Sequence, residues 1–231
     1  MSTVWESQPS AEQSAEARRV VRVWDGFTRV THWLLVVLMG VSWWTARRHH
    51  MDYHRYSGYA FLGVLVFRLY WGVFGSTTAR FAHFVKGPRS IWRYLRSSSR
   101  VRPAAPGHNP LGALSVLALL GLLLAQVTLG LFCVDVDGLE SGPLSHSVTF
   151  ETGRECSRLH HLGFDVLKAF IVLHIAAVMF YWIVRRDNLV RPMITGSKGW
   201  SHGPLPHIEF APRWHALLGI VLAAVLVWYV A

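Results

Sequence analysis

HHLGFDVLKAFIVLHIAAVMFYWIV, residues 160–184, is an apolar run of membrane-spanning length with two histidines, His160 and His174, fourteen residues apart. At about 1.5 Å rise per residue they lie roughly 21 Å apart along a helix. That is most of the way across a hydrocarbon core of about 30 Å. Fourteen residues is also close to four full turns, so both rings leave nearly the same side of the helix. A costly polar residue repeated at that interval asks for partners on other helices at two depths.

The rest of the chain supplies them. It has 231 residues, 52% hydrophobic and 16% charged, which alone would suit a large soluble domain. The distribution excludes that, because apolar residues come in long runs between short charged stretches. Five segments have membrane length: about 30–46, 54–75, 109–134, 160–184 and 214–231. Only helices cross lipid as an open chain with their backbone satisfied, and none of these runs shows the alternation of a β-barrel strand. The first 17 residues are polar and contain acids, unlike a cleavable signal peptide, so the first segment should be retained as a helix. Trp24, Trp33, Trp43, Trp44, Trp182 and Trp228 gather near segment ends, as interfacial anchors do.

The formal net charge is +10, and its placement points to membrane orientation. Residues 1–29 carry four Lys/Arg, the 76–107 loop seven and the 185–213 loop five. The intervening loops carry Arg47, Arg48, Arg154 and Arg158, with Arg55 just inside the second segment. Asp135, Asp137, Glu140, Glu151 and Glu155 crowd one of them. The positive-inside rule then sets the N-terminus in the cytoplasm, and five spans set the C-terminus outside. The basic stretches lack a nucleic-acid-binding module, so the expected partners are anionic lipid and cytoplasmic proteins.

Three regions are expected: a flexible cytoplasmic tail over 1–20, one membrane domain over 21–200, and a linker with a fifth spanning helix over 201–231. Val20–Arg29 reads as a juxtamembrane approach. Asn109-Pro110 reads as an N-cap followed by Pro at the first helical position. Residues 135–156, with Gly138, Gly142, Pro143 and Gly153, read as a structured external loop. Cys133 would end the third helix and Cys156 precede the fourth, both on the non-cytoplasmic side. A disulfide there is permitted in an oxidising compartment, and two unrelated thiols fit equally. No internal repeat suggests a repeat-built transporter.

Depth sorts the histidines. His32 lies near the cytoplasmic start of the first helix and His174 near the cytoplasmic end of the fourth. His54 opens the second helix and His160 the fourth, both outside. The expected pairs are therefore His32–His174 and His54–His160. Two neutral imidazoles per iron make an electron-transfer haem site, so two pairs suggest two haems. His50 could replace His54. His161 could replace His160, although it sits about 100° further round the helix. His49, His83, His108, His146, His202 and His207 lie in loops and need no ligand role. Gly58 and Gly163 follow ligand candidates closely, where small residues admit either a flat macrocycle or a neighbouring helix. Arg68, fourteen residues after His54, falls at the inner depth and could pair with a haem propionate or snorkel to the interface. Asp165 could pair with the intramembrane Lys168 three residues later.

These stretches resemble the bacterial cytochrome b561 and nickel–iron hydrogenase b-type cytochrome superfamily. The resemblance is carried by Arg29-Val30-Thr31-His32-Trp33, by His54 with Gly58, and by Arg68-Leu69-Tyr70-Trp71 followed by Gly75. It continues in Gly107-His108-Asn109-Pro110 and in His160-His161-Leu162-Gly163 through His174 to Arg185-Arg186-Asp187-Asn188. It covers roughly residues 20–200. It implies an all-α integral membrane four-helix bundle with two b haems, ligated by His32, His54, His160 and His174, here with an additional C-terminal transmembrane helix. It also implies a multi-pass protein of the bacterial inner (plasma) membrane that carries electrons between a redox partner, hydrogenase-like or another dehydrogenase or cytochrome, and the quinone pool. Arg29, Arg68 and His108 are the polar candidates near quinone. As an enzyme it would be an electron-transfer subunit of an oxidoreductase complex with quinone reductase activity. The alternatives are a stand-alone superoxide:quinone oxidoreductase and, from another class, a haem-free membrane anchor or transporter. An oligomer is compatible with either. The fifth helix departs from the family pattern and suggests docking against a different protein.

Overall fold

A computed structural model describes residues 19–85, 87, 89–90, 92, 96, 107–137, 140–200 and 205–231. Most of the tail and the breaker-rich stretch 97–106 lie outside them. The chain folds as an all-α membrane protein, with helices α1 (Gly26–Arg47), α2 (Met51–Phe74), α3 (Phe81–Phe84), α4 (Pro110–Phe132), α5 (Phe150–Ile183), α6 (Val190–Thr195) and α7 (Arg213–Val230). By length and composition α2, α4, α5 and α7 can each cross a membrane. The fifth long helix, α1, has 22 residues but carries Arg29, Thr31, His32, Ser42 and Thr45 along its length.

Local chemistry sets the helix starts. Asp25 caps α1 by accepting from the Thr28 amide at 2.7 Å and the Thr28 hydroxyl at 3.0 Å, which satisfies donors the first turn would leave orphaned. Asn109 caps α4 by accepting from the Gly112 amide at 2.7 Å, with Pro110 in the first turn as its sequence suggested.

Helix α5 differs from expectation. It begins at Phe150, ten residues before the apolar run, capped by Thr149, which accepts from the Thr152 amide at 3.2 Å. Glu151, Arg154, Glu155, Cys156 and Arg158 are therefore helical, and the loop after α4 ends at Thr149. Their polarity marks where the helix leaves lipid; the helix itself continues. Cys133 and Cys156 are both free thiols.

The long helices form two antiparallel hairpins, α1 with α2 and α4 with α5, and α7 lies along α2. The α4–α5 turn is drawn tight by Gly142, whose amide donates to the Cys133 carbonyl at 2.8 Å. A Cβ there would come within 2.4 Å of the Gly130 carbonyl oxygen. The hairpins meet through Phe61, Leu65, Leu120, Leu123 and Leu167. A second apolar cluster, Phe67, Trp71, Ala79, Ala216 and Ala223, joins α2 to α7. Gly219 lets the Tyr70 ring reach the α7 backbone, since a Cβ would lie 2.5 Å from it. The fifth helix is thus docked on its own bundle. In contrast, α1 and α5 barely touch, so that side of the bundle is less tightly closed.

One element was not foreseen. Strand β1 (Arg19–Arg22) pairs antiparallel with β2 (Ser197–Trp200), Arg19 opposite Trp200. This ribbon ties the approach to α1 to the segment following α5. Gly196 turns the chain into it at φ +85°, where a Cβ would also meet the Trp24 carbonyl oxygen at 2.8 Å.

Candidate cofactor site

At the end of the bundle near the α1–α2 turn, the rings of His54 and His160 face each other with centroids 6.3 Å apart and planes at 87°. The His54 Nδ1 lies 2.9 Å from the Ser42 carbonyl oxygen and the His160 Nδ1 2.9 Å from that of Gln126. A carbonyl only accepts, so each Nδ1 carries the proton and each Nε2 is left with a free lone pair. Two metal–imidazole bonds of about 2 Å each, with the two ring radii, span about 6 Å. The ring separation is thus the one that two imidazoles on a single iron would have.

The supports of this pair come from neighbouring helices. The Ser42 and Ser57 hydroxyls lie 2.8 Å apart, and Ser57 donates to the His54 carbonyl at 2.9 Å. The Gln126 amide donates to the His160 carbonyl at 3.0 Å. Gly130 leaves room for the imidazole, because a Cβ would meet His160 Cε1 at 3.0 Å. Sequence reasoning missed Ser42, Gln126 and Gly130. Backbone acceptors carry no side-chain signature, and Gly130 reads as one more small residue in an apolar helix.

His32 and His174 lie toward the other end of the bundle, within electrostatic range of each other and of Arg68. The His32 Nδ1 is buried without a hydrogen-bond partner. The His174 Nδ1 is 3.5 Å from the Ser115 hydroxyl, at the outer limit for such a bond. Arg68 is 7% exposed, with Nη1 unpaired, and lies over the Phe81 ring. Asp25 offsets part of its charge, while itself accepting from Trp71 Nε1 at 3.1 Å.

Of the other sequence candidates, His108 is wedged between Trp24 and Phe84, with ring centroids at 4.8 and 4.6 Å. Burial, reinforced by the nearby Arg68 and His174, pushes its pKa down to about 4, and its Nδ1 has no partner. Arg29 is occupied, donating to the Ile194 carbonyl. Gly58 faces open space, whereas Gly163 lies against the Gln126 side chain. His50 is exposed beside Trp44 and Tyr53, and His161 is exposed on α5. Lys168 pairs with Asp165 at 2.8 Å.

Among the described residues, no group of three or more His, Cys, Asp or Glu could hold a metal ion. The close imidazole pair of His54 and His160 on the helices of a multi-pass membrane protein instead suits a metal whose other positions a macrocycle fills, as in a b-type cytochrome. The chain belongs to the prokaryotic cytochrome b561 family, whose profile matches residues 23–196. That membership implies b-type haem and membrane electron transfer. The chain is 25% identical over 220 residues to a probable Ni/Fe-hydrogenase B-type cytochrome subunit of Azotobacter chroococcum mcd 1, covering 80% of this chain and 91% of that protein. It is 24% identical, with the same coverage, to the protein of the same description in Azotobacter vinelandii. No solved structure matches.

Proposed function

We propose that this protein is a dihaem cytochrome b carrying electrons between a redox partner outside the bilayer and the quinone pool. The observation that carries the reading is the His54–His160 pair, facing at 6.3 Å with both Nδ1 atoms committed to carbonyls. His32 and His174, at matching positions along α1 and α5, are assigned as the second pair, which their electrostatic coupling supports. Haem iron bound at these pairs supplies one-electron chemistry that side chains lack.

The polypeptide does the rest. His54 and His160 hold the outer site, and His32 and His174 the inner one. The apolar contacts of Leu65, Leu120 and Leu167 exclude water between them. Arg68 offers its unpaired Nη1 to a haem propionate. His108 presents a neutral ring with an unpaired Nδ1 at the inner end, the place for a quinone carbonyl. Lys168 is absorbed in its ion pair with Asp165 and serves structure. The surplus of Lys/Arg in alternate loops favours a bacterial inner membrane location with a cytoplasmic N-terminus.

The relatives described as Ni/Fe-hydrogenase cytochrome subunits support a hydrogenase-like redox partner, which the charge-based orientation sets on the outer face. The acidic residues of the outer loop, Asp135, Asp137 and Glu140, speak against an anionic substrate such as superoxide. Purified protein should contain two haems per chain and show a reduced b-type α-band that a quinol analogue elicits or a quinone analogue bleaches. Protein without that band would overturn the reading.

A further inference from the structure

Helix α5 carries charge where the other spans present hydrocarbon. The charged side chains within the five apolar segments are Arg55, Arg68, Asp165 and Lys168. Arg55 lies near the start of α2 beside Asp52, and Arg68 is buried. Asp165 and Lys168 pair at 2.8 Å yet keep 68% and 50% of their side-chain surface exposed. They lie roughly 7.5 and 12 Å along the helix from His160, between the levels of His160 and His174. The exposed faces of α4 and α7 instead present Leu114, Leu117, Leu124, Leu218, Ile220 and Val225. A charged side chain at that depth is costly against lipid tails. Lysine can snorkel, but this ammonium is held by Asp165 and lies 5.2 Å from the Phe164 ring centroid. The aspartate is too short to reach an interface.

The pair belongs to a longer seam. Arg158, His161, Asp165 and Lys168 follow one another at alternating steps of three and four residues, and Val172, Ile175 and Met179 continue the same steps. All of them are exposed. That is the spacing at which two parallel helices interlock their side chains. The seam looks away from the histidine face. Leu167, midway between His160 and His174, is fully buried, and at about 100° per residue Lys168 lies roughly 100° and Asp165 roughly 160° round the helix from it. The first half of the seam is polar and the second half apolar.

We propose that this seam is the interface of a homodimer, with α5 packed in parallel on α5 of a second copy about a two-fold axis along the membrane normal. Two copies in one membrane share an orientation, so the same residues meet at the same depth. Each Asp165 then lies beside the Lys168 of both copies, and the charges of the two pairs cancel. An ammonium and a carboxylate each have hydrogen-bonding capacity beyond a single bond; the second copy supplies those further partners and replaces lipid around them. A second copy is the occupant that brings this complement by symmetry alone. Polar groups at seam positions also set the register, while Val172, Ile175 and Met179 supply apolar packing. The proposal needs no haem and stands apart from the dihaem reading.

Cross-linking of the full chain in native membranes tests it, in a background with Cys133→Ser and Cys156→Ser. Oxidation with copper phenanthroline should join Val172→Cys, and separately Ile175→Cys, into a product of twice the chain's mass. Leu173→Cys, exposed but about 100° round the helix from Val172, should stay monomeric. In nanodiscs the wild-type chain should count as two per particle. Asp165→Lys, which gathers like charges at the axis, should lose the dimer, and combining it with Lys168→Asp should recover it. If the charge variants fail to fold, the cross-linking series, in which both charges are native, decides alone. A monomeric wild-type chain, an Asp165→Lys chain that remains dimeric, or Leu173→Cys joining as readily as Val172→Cys overturns the proposal. So does a cross-linked product that contains a different protein, which would give the seam to a partner's transmembrane helix. Haem content read on the same samples keeps the cases apart: missing pigment counts against the dihaem reading and leaves the dimer standing.

Discussion

Single residues decide whether each site forms. His174→Ala should halve the haem content of purified protein and spare the outer site, as a pyridine haemochrome assay would report; retention of both haems would refute the inner pairing. Gly130→Val puts branched carbon where His160 Cε1 already lies 3.0 Å from a bare Cβ position. It should displace the ring and cost one haem of two, read as haem content per chain. His108 makes a pH prediction. Folding holds it neutral, with its pKa lowered to about 4 by burial, then by Arg68 and His174, while the unfolded chain takes the proton near pH 6.5. As pH falls through that window the unfolded state binds more protons, so stability drops, by roughly 3 kcal/mol at most. Above about pH 6.5 the group contributes no dependence. The unfolding midpoint should therefore fall more between pH 7.5 and 5 in wild type than in His108→Gln.

At the scale of elements, capping and close approach matter more than hydrophobicity. Thr149 starts α5 in water, ten residues before the apolar run begins. Thr149→Ala should destabilise the helix end by about 1 kcal/mol, seen as faster amide exchange over residues 150–156 with haem content unchanged. This start escaped the sequence reading because hydropathy reports the lipid boundary and the helix overruns it. Helix α7 was legible as a span, but its docking on α2 was not. That depends on Gly219 meeting Tyr70 and on Gly63 meeting Val227 at 3.4 Å, contacts between segments more than 140 residues apart. The β1–β2 ribbon was hidden for the same reason. Arg19–Arg22 and Ser197–Trp200 are too short to show a period, and each is extended only because the other is there.

For the whole molecule, the distribution of charge predicts the orientation. In a background lacking Cys133 and Cys156, a cysteine at position 90 should label only from the cytoplasm and one at position 145 only from outside. The opposite pattern would invert the assignment of outer and inner sites.

Five long helices and their order were legible in the chain alone, because hydrophobic length is a local property; the depths of four histidines were an expectation drawn from the helical rise. The family was legible too, through short motifs in a fixed order. Packing settled the rest: which nitrogen of the His54 and His160 rings is free, that the Ser42 and Gln126 carbonyls accept from them, that Arg68 is buried, and that the fifth helix lies on α2. Those facts belong to distances between segments remote in the chain, and packing alone sets such distances.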